Sequence, residues 1–457
     1  MKIDFAGAKD QINNFPIKNR LYDFIIIGSG PAAVTLYKKI ISKNNKSKIL
    51  ILEEGDYSKK NFKKVFSKYL KINLKSRAFT VGGSSSVWSN ISSYFEEFEM
   101  KSRWEKKQFN LWPLNHKSLL KEYKKLNKKY QFFFDKFKAK KINAPFEIRP
   151  FLATTKPMNF KKFINVNEID LIYNCRITSI DEGKKVATAY TINKELKFIA
   201  KKIIICCGGI ESVRLIQESL NQKKLKNIKN KNLIGKFFMD HPKFDLGILK
   251  YPKVDIINQI ELLKKNNLIS YYGISLKKNI QLKNQLLNTY VRFEKTNSRI
   301  SKFIEKFNIP IIKNIFNNER NYRVRLFSEM MPNINNHIIS KTNKTLVVLR
   351  PSKIDYATIK LLAKKVKNYF SLKPEKETNF NLKNINKRFE GASHHMGGLR
   401  FNPKKNLSVV DRNLKIIGLN RIYVCSSAVF PTSGSVNPTM TICALANKLG
   451  NHLEKKL

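Results

Sequence analysis

The sequence is poor in cysteine, in acidic side chains and in long apolar runs. Its five cysteines are odd in number, lie in apolar stretches and form no CxxC pair. This pattern argues against structural disulfides and a zinc site, and it suits a reducing compartment. No apolar run reaches the roughly eighteen residues that would span a bilayer. We therefore expect a cytoplasmic protein that holds no metal.

Acidic residues are few: 34 Asp and Glu stand against 88 Lys and Arg, so the formal net charge is +54. Such an excess suits nucleic acid or an anionic membrane as a partner. The lysines are, however, spread along the whole chain among many isoleucines and asparagines, and no aromatic and basic nucleic-acid motif is present. We interpret the charge as a general compositional bias. The prediction is no nucleic-acid partner, with peripheral contact at the inner membrane surface left open.

Apolar strands and helices alternate at both ends of the chain. The pattern predicts a strand at 24–27, a helix to about residue 42 and a second strand at 49–52. The same pattern of an apolar strand followed by a helix is expected near the C-terminus, with a strand at 422–425 and a helix at 438–449. With 457 residues available to bury a cofactor, the sequence predicts an α/β fold: a Rossmann-like domain and an α+β second lobe built on a β-sheet.

The middle of the chain is less regular. Residues 58–75 look helical and basic, and strands are expected at 171–180, 196–199 and 203–207. From about 245 to 390 the pattern shifts to alternating strands with few glycines. This change from alternating strands and helices to mainly strands predicts a second lobe that faces the substrate.

The first turn carries a dinucleotide fingerprint. The string GSGPAA matches GxGxx(G/A) directly after an apolar strand. Gly28 permits the tight turn, Gly30 lets the backbone approach a pyrophosphate, and Ala33 keeps the helix close to the strand. The helix N-terminus attracts the anion, and Glu53 after the next strand can accept hydrogen bonds from a ribose diol. The motif predicts dinucleotide binding without choosing between NAD and FAD.

Two further loops favour FAD. The string GGSSS at 82–86 fits neither a helix nor a strand, and the loop FPTSGSVNPT at 430–439 precedes the last helix. A nicotinamide enzyme has no evident need for them, whereas a large cofactor would be gripped from several sides. Taken by itself, the first loop suits an ordinary connection equally well.

Taken together, these pieces resemble the glucose-methanol-choline (GMC) oxidoreductase family, whose members bind FAD. The matching strings, in the family's order, are IIIGSGPAA, LILEEG, VGGSSSVWSN, WPLNHKSLLKEYKKL, IICCGGIESVRLI, IGKFFMDHP, SHHMGGLRF and the long segment from SVVDRNLK to TICALA. They run from about residue 25 to residue 446. The strings VGGSSSVW and SGSVNPT are similar to the sugar-oxidising branch typified by pyranose oxidase, so the resemblance points to a short bacterial type near that branch.

The resemblance implies a set of cofactor contacts. These are Gly28, Gly30, Ala33, Glu53, Gly82, Gly83, Ser84, Ser85, Ile177, Gly208, Val436 and Pro438. In the sugar-oxidising branch a histidine just before the loop's tryptophan bonds covalently to FAD. Here Val87 precedes Trp88, so we predict non-covalent FAD. Ser426 stands where the family often has an acid, which leaves one cofactor contact in doubt.

The resemblance also implies a catalytic pair, His394 and Asn437. A carbinol gives its hydrogen as hydride to flavin N5 when its hydroxyl proton leaves to a base, and neutral imidazole suits that near pH 7. Asn437 can donate a hydrogen bond that positions the alcohol oxygen. His395 is the rival base, although a neighbouring side chain normally faces the other way. His241 is expected to pack and hydrogen-bond between the lobes.

The expected domain division is discontinuous. The FAD-binding domain would comprise 1–100, 160–245 and 390–457, and the substrate-binding domain 101–159 and 246–389. The predicted function is an FAD-dependent oxidoreductase acting on a CH–OH group of a sugar or another alcohol, a dehydrogenase in preference to an oxidase. The electron acceptor is left open.

One stretch of the second lobe, residues 299–316, alternates apolar and basic residues at helical spacing. It suits either a core-facing helix pair or lid over the active site, or a segment at a membrane interface, and the second case would favour a lipid-linked or lipidic substrate. Two other functions stay in play. One is a non-redox lyase on the same FAD scaffold, and the last in rank is a basic nucleic-acid-binding protein.

Overall fold

The computed structural model describes residues 1–5, 20–101, 112–130, 142–143, 145–190, 195–250, 263–265, 267–296, 321–341, 344–370 and 390–454. The helices within them are α1 (Pro31–Ile41), α2 (Glu97–Met100), α3 (His116–Tyr130), α4 (Gly208–Asn221), α5 (Lys278–Lys283), α6 (Lys353–Phe370) and α7 (Thr439–Glu454).

The strands within the same residues form four sheets, two of them large. In chain order they are β1 (Lys2–Asp4), β2 (Leu21–Ile27), β3 (Ile49–Leu52), β4 (Asn61–Phe62), β5 (Phe66–Tyr69), β6 (Ala78–Phe79), β7 (Phe146–Thr154), β8 (Asp170–Tyr173), β9 (Ile177–Asp181), β10 (Val186–Tyr190), β11 (Glu195–Ile205), β12 (Pro242–Lys250), β13 (Leu263–Lys265), β14 (Leu268–Leu276), β15 (Thr289–Thr296), β16 (Asn321–Ser328), β17 (His337–Lys341), β18 (Lys344–Leu349), β19 (Glu390–Gly391) and β20 (Ile422–Val424).

The first large sheet is centred on the parallel strands β3, β2 and β11. Its order is β1-β8-β3-β2-β11-β10-β9, and β20 also pairs with β11. Ile25 and Ile26 of β2 are fully buried, as are Ile51 and Leu52 of β3. Such continuous apolar runs are typical of parallel strands covered on both faces. The carboxyl ends of β2, β3, β11 and β20 therefore meet at one edge of this sheet.

The last helix lies beside the first one. Helix α1 packs against α7, and α7 packs in turn against α3. Between the latter two, the hydroxyl of Tyr123 lies 2.7 Å from Oγ1 of Thr441. The N-terminal fingerprint and the C-terminal loop are thus neighbours in space, although more than four hundred residues separate Gly28 from Asn437.

The second large sheet is antiparallel, in the order β13-β14-β15-β16-β12-β19, with β7 also pairing with β14. The pairing of β12 with β19 sets Pro242 opposite Gly391. Beyond this pair, the N–H of Ala392 donates to the carbonyl of His241 at 2.9 Å. This register places the residues just before β12 against those just after β19. The division into two domains remains a prediction.

Three local predictions are wrong. Residues 58–75 contain the short strands β4 and β5 in place of a helix, because β5 pairs in parallel with β18 far along the chain. Such long-range pairing overrides weak local propensity. The single strand expected at 171–180 is broken by Asn174, which has φ +56°. The two strands expected between 196 and 207 are one, β11, whose buried Ala200 pairs with Tyr22.

Within the described part of the chain, no helix is both long and apolar enough to cross a membrane. The stretch 299–316, interpreted above as a lid or an interfacial segment, lies outside the described residues.

Candidate active site

A cavity of about 580 Å³ opens at the carboxyl edge of the first sheet. Its wall includes residues 27–32 after β2, 52–54 after β3, 206–211 after β11 and 426–427 after β20. Ligands of open α/β sheets bind outside the carboxyl ends of the strands, and the size falls in the range of about 300–1,000 Å³ typical of small-molecule and cofactor sites. The fold therefore builds its principal candidate site where the fingerprint lies.

The two fingerprint positions, 28 and 30, need glycine for different structural reasons. Gly28 has φ +95°, and an added Cβ would lie 2.8 Å from the carbonyl oxygen of Cys206. Gly30 caps α1 with φ −72°, and an added Cβ would meet no atom within 4 Å. Gly30 lines the cavity, so open space faces the helix N-terminus, where an anion is favoured. Ala33 is buried on α1 and does not line the cavity.

Glu53 lines the cavity but is held tightly by the fingerprint turn. Its carboxylate accepts hydrogen bonds from the N–H of Ser29 at 2.9 Å, from Ser29 Oγ at 2.6 Å and from the N–H of Gly55 at 2.8 Å. Burial raises the pKa of Glu53. These bonds show what positions Glu53, while its contact with a ribose remains a prediction.

The glycine and serine loop lies against the fingerprint. Gly82 has φ +92° and donates its N–H to Ser29 Oγ at 3.0 Å, which ties the two loops together. A short 3₁₀ turn follows, and Gly83, Ser84 and Ser85 line the cavity whereas Gly82 does not. Ser29 occupies a variable position of the fingerprint, so the motif does not reveal that its hydroxyl joins Glu53 to this loop.

Strand β9 and helix α4 carry two more of the predicted cofactor contacts, Ile177 and Gly208. Ile177 at the start of β9 lines the cavity, and so does Gly208, which opens α4 with φ +70°. At the other end of the chain, Pro438 lines the cavity, whereas Val436 is fully buried and does not line it. The N–H of Ile442 donates to the carbonyl of Pro438 at 2.9 Å, which forms the first turn of α7.

His394 and Asn437 meet on the cavity wall. Nδ2 of Asn437 lies 2.9 Å from Nε2 of His394, and both residues line the cavity. Burial, followed by the neighbouring His241 and His395, lowers the pKa of His394 well below its usual value. The imidazole is therefore neutral at pH 7, as a proton acceptor must be.

His241 lies directly behind His394. The two Nδ1 atoms are 2.8 Å apart, and Nε2 of His241 lies 3.3 Å from the carbonyl oxygen of Ser433. Burial lowers the pKa of His241 to about 4. Asp240 joins both histidines, since its Oδ1 accepts the backbone N–H of His241 at 2.7 Å and that of His394 at 2.8 Å. Asp240 stands directly before His241 in the string MDHP, but nothing in that string marks it as a contact of His394.

His395 occupies a different environment from His394. It is buried, stacks on Phe238 with ring centroids 6.2 Å apart, and has Nε2 3.8 Å from Oδ2 of Asp240. Within the described residues no hydrogen-bond partner for its Nε2 is found. Burial lowers its pKa to about 3. His395 reaches the cavity wall, but the contact with Asn437 belongs to His394.

A buried ion pair anchors the loop that carries Asn437. Glu99 on α2 is fully buried and lies 3.3 Å from Nη2 of Arg149. Burial raises the pKa of Glu99, but Arg149 outweighs it, and the pKa falls to about 2. Oε1 of Glu99 also accepts the N–H of Ser435 and Nδ2 of Asn288, each at 2.8 Å. Its capping contact with Glu96 is local, but these partners, which give Glu99 its anchoring role, are distant in sequence.

No group of three or more His, Cys, Asp or Glu side chains in the described ranges is arranged to hold a metal ion. The candidate site thus consists of the cavity, the glycine-rich turns that line it and the cluster of His241, His394 and Asn437.

Comparison with known proteins gives one family match and several structures of the same fold. Residues 339–446 match the family model described as GMC oxidoreductase. No curated protein matches the chain. A formate oxidase variant from Aspergillus oryzae RIB40, studied for FAD modification, is 14% identical with a TM-score of 0.61, over 96% of this chain and 99% of that one.

Two other solved structures share the fold. Pyridoxine 4-oxidase from Mesorbium loti is 11% identical with a TM-score of 0.63, over 94% of this chain and 99% of that one. An FAD-dependent oxidoreductase from Chaetomium thermophilum is 12% identical with a TM-score of 0.64, over 95% of this chain and 99% of that one. At such identities the likeness concerns the fold. The predicted α/β class is confirmed.

The match over residues 339–446 and the shared fold support the predicted GMC oxidoreductase family. The class of protein that they indicate is an oxidoreductase. The branch within the family and the roles of single residues remain predictions.

Proposed function

We propose that this protein is an FAD-dependent oxidoreductase that oxidises a CH–OH group of a sugar or another alcohol, with His394 as general base and Asn437 positioning the substrate oxygen. One observation carries the proposal: Asn437 Nδ2 and His394 Nε2 lie 2.9 Å apart on the wall of the cavity that begins at the N-terminus of α1. The comparisons support the family and the cofactor class, while substrate and residue roles belong to the proposal.

The cavity residues suit FAD. The open space at Gly30, where an added Cβ would meet nothing within 4 Å, would take the pyrophosphate beside the N-terminus of α1. Glu53 would hold the ribose, and Gly83 and Ser84 would lie against the ring system. Val87 has no group that could bond to the flavin, so we propose that FAD is held non-covalently.

The chemistry that FAD supplies when bound is the acceptance of a hydride from the carbinol carbon. The chain supplies the base and the hydrogen-bond donor. With no substrate, Asn437 Nδ2 donates to the lone pair of His394 Nε2. An alcohol entering between them would donate its hydroxyl proton to Nε2 and accept a hydrogen bond from Nδ2. Because burial keeps His394 neutral, Nε2 is free to take that proton at pH 7.

The decisive experiment is an anaerobic titration of the purified protein with a panel of sugars and alcohols, followed by flavin absorption. We expect bound flavin that one class of alcohol bleaches. Bound flavin that no alcohol reduces would favour a lyase on the same scaffold. A colourless protein that retains DNA or RNA in a salt-sensitive manner would replace the proposal with nucleic-acid binding.

Two further measurements refine the proposal. His394→Ala should keep the flavin and lose its reduction by the alcohol, whereas near-normal reduction would transfer the role of base to His395 or elsewhere. We also propose a dehydrogenase in preference to an oxidase. Mixing the alcohol-reduced protein with air-saturated buffer tests this point, since rapid reoxidation with release of peroxide would mark an oxidase.

A further inference from the structure

We propose that His241 is a positioning residue that sets the tautomer of His394, so that the lone pair of His394 lies on Nε2 and faces the cavity. This inference rests on the proposed function only for its catalytic consequence. His241 does not line the cavity, and it is almost fully buried. It therefore touches neither substrate nor cofactor, and it acts through the 2.8 Å contact between the two Nδ1 atoms.

The directions of the hydrogen bonds follow from the partners. The carbonyl of Ser433 can only accept, so Nε2 of His241 carries a hydrogen. Since burial lowers the pKa of His241 to about 4, the ring is neutral and its Nδ1 holds a lone pair. His394 must then donate from its own Nδ1. A neutral His394 with hydrogen on Nδ1 has its lone pair on Nε2, where Asn437 Nδ2 donates.

The other tautomer of His394 is disfavoured by the same contacts. With hydrogen on Nε2, the two Nδ1 lone pairs would face each other across 2.8 Å, and the Asn437 amide group would meet an N–H. Leaving a buried polar group unpaired is costly enough to decide a tautomer. The partner at Nδ1 therefore determines where the proton-accepting lone pair points, as is general for histidine.

The surrounding bonds hold His241 in place. Asp240 Oδ1 accepts the backbone N–H of both His241 and His394. Ser433 is fixed in turn, because its Oγ accepts the N–H of Met330 at 2.9 Å. The carbonyl of Ser433, the ring of His241 and the ring of His394 thus come from three separate segments, and each is held in place by hydrogen bonds.

The charged and titratable groups facing this cluster come from several elements. His395 precedes the GG turn, Asp240 precedes β12, Lys243 lies on β12 and Arg292 lies on β15. Glu99 and Arg149 face His241 from α2 and β7. Burial is the main cause that keeps both rings neutral, and for His394 the cations at 243 and 292 add to it.

Two amide substitutions of His241 distinguish its proposed role in positioning His394 from a role in packing alone. In His241→Asn the amide oxygen can occupy the place of Nδ1 and still accept from His394. In His241→Gln the amide group falls at the place of Nε2, so the bond to Ser433 is kept and the acceptor for His394 is lost. We expect Asn to retain most of the rate of alcohol-driven flavin reduction and Gln to lose roughly tenfold to a hundredfold, the range found when the partner that orients a metal-binding histidine is removed.

The direct test is the tautomer itself, read by ¹⁵N NMR of histidine-labelled protein, with His394 assigned through His394→Ala among the six histidines. We expect hydrogen on Nδ1 of His394 in the wild type and in His241→Asn, and a mixture in His241→Gln. Flavin content, substrate KM and thermal stability should be similar in the two variants. Hydrogen on Nε2 of His394 in the wild type, or an unchanged tautomer in His241→Gln, overturns the inference. If the tautomers behave as expected but no alcohol reduces the flavin, the proposed function fails and the inference on His241 stands.

Discussion

Glu99 accepts the backbone N–H of Ser435 at 2.8 Å, although 336 residues separate the two in the chain. The same carboxylate faces Arg149, and Thr432 donates its hydroxyl to the carbonyl of Glu99 at 3.2 Å. Helix α2 thereby holds the loop that leads to Asn437. The position of the Asn437 amide, which we propose binds the alcohol oxygen, therefore depends on Glu99, a residue that does not line the cavity.

Removing Glu99 should destabilise the protein strongly. Glu99→Ala leaves Arg149 buried without its partner, and breaking a buried pair in this way costs about 3–5 kcal/mol. We expect a correspondingly lower free energy of unfolding in urea, with loss of bound flavin at lower urea concentration. The control is Glu97→Ala on the same helix, whose side chain is 60% exposed and paired with Lys101. No measurable change is expected there, and equal effects of the two variants would argue against the anchoring role.

The two fingerprint glycines should fail in different ways. Gly30→Ala introduces a Cβ into open cavity space, so we expect normal folding stability and a lower flavin content. Gly28→Ala forces a side chain onto φ +95° and against the carbonyl of Cys206, which should lower the free energy of unfolding by about 1–3 kcal/mol. Urea denaturation and the flavin-to-protein absorption ratio distinguish the two. Full flavin content in Gly30→Ala would show that no cofactor phosphate approaches this turn.

The flavin should be released by denaturation. Val87 stands before Trp88, where covalently linked relatives are expected to carry a histidine. After acid precipitation we expect all yellow colour in the supernatant and FAD there by chromatography. A pellet that keeps its colour after washing would disprove non-covalent binding.

The rate of alcohol-driven reduction should depend little on pH near neutrality. Burial, with His241 and His395, holds the pKa of His394 well below 6.5, so the base stays unprotonated as the pH falls through that value. We therefore expect protonation of His394 to cause no fall in rate between pH 8 and pH 6. A histidine with the ordinary pKa of about 6.5 would lose about three quarters of its basic form by pH 6.

Asp240 is the internal control for that profile. Burial raises its pKa to about 6, so its carboxylate becomes protonated below that pH and its hold on the two histidine N–H groups weakens. A fall in rate that begins near pH 6 should disappear in Asp240→Asn. A fall centred at pH 6.5 that persists in Asp240→Asn would contradict the assigned protonation of His394.

Much of the site follows from short sequence patterns. The turn after β2, the acid after β3 and the glycine and serine loop were recognisable because each function needs particular residue types at short spacing. The pairing of His394 with Asn437 was predicted through the family resemblance, and the structure brings the two side chains together. Their catalytic roles remain to be tested.

Other features could not be found from local patterns. The basic segment at 58–75 looked helical, yet β5 is a strand because its partner β18 lies nearly three hundred residues away. Glu99 resembles its neighbours Glu96 and Glu97 in sequence and differs only in being buried against Arg149. In both cases the deciding contact is formed by a distant residue.

The amino-acid order was sufficient to predict the family, the α/β class and the fingerprint turn, and to propose His394 and Asn437 as the catalytic pair, since those depend on backbone geometry over a few residues and on side-chain chemistry. The pairing of β12 with β19 sets His241 behind His394, and α2 anchors the loop of Asn437. Those relationships arise from sheet register and burial, which bring remote segments into contact and set the protonation state of the groups they enclose.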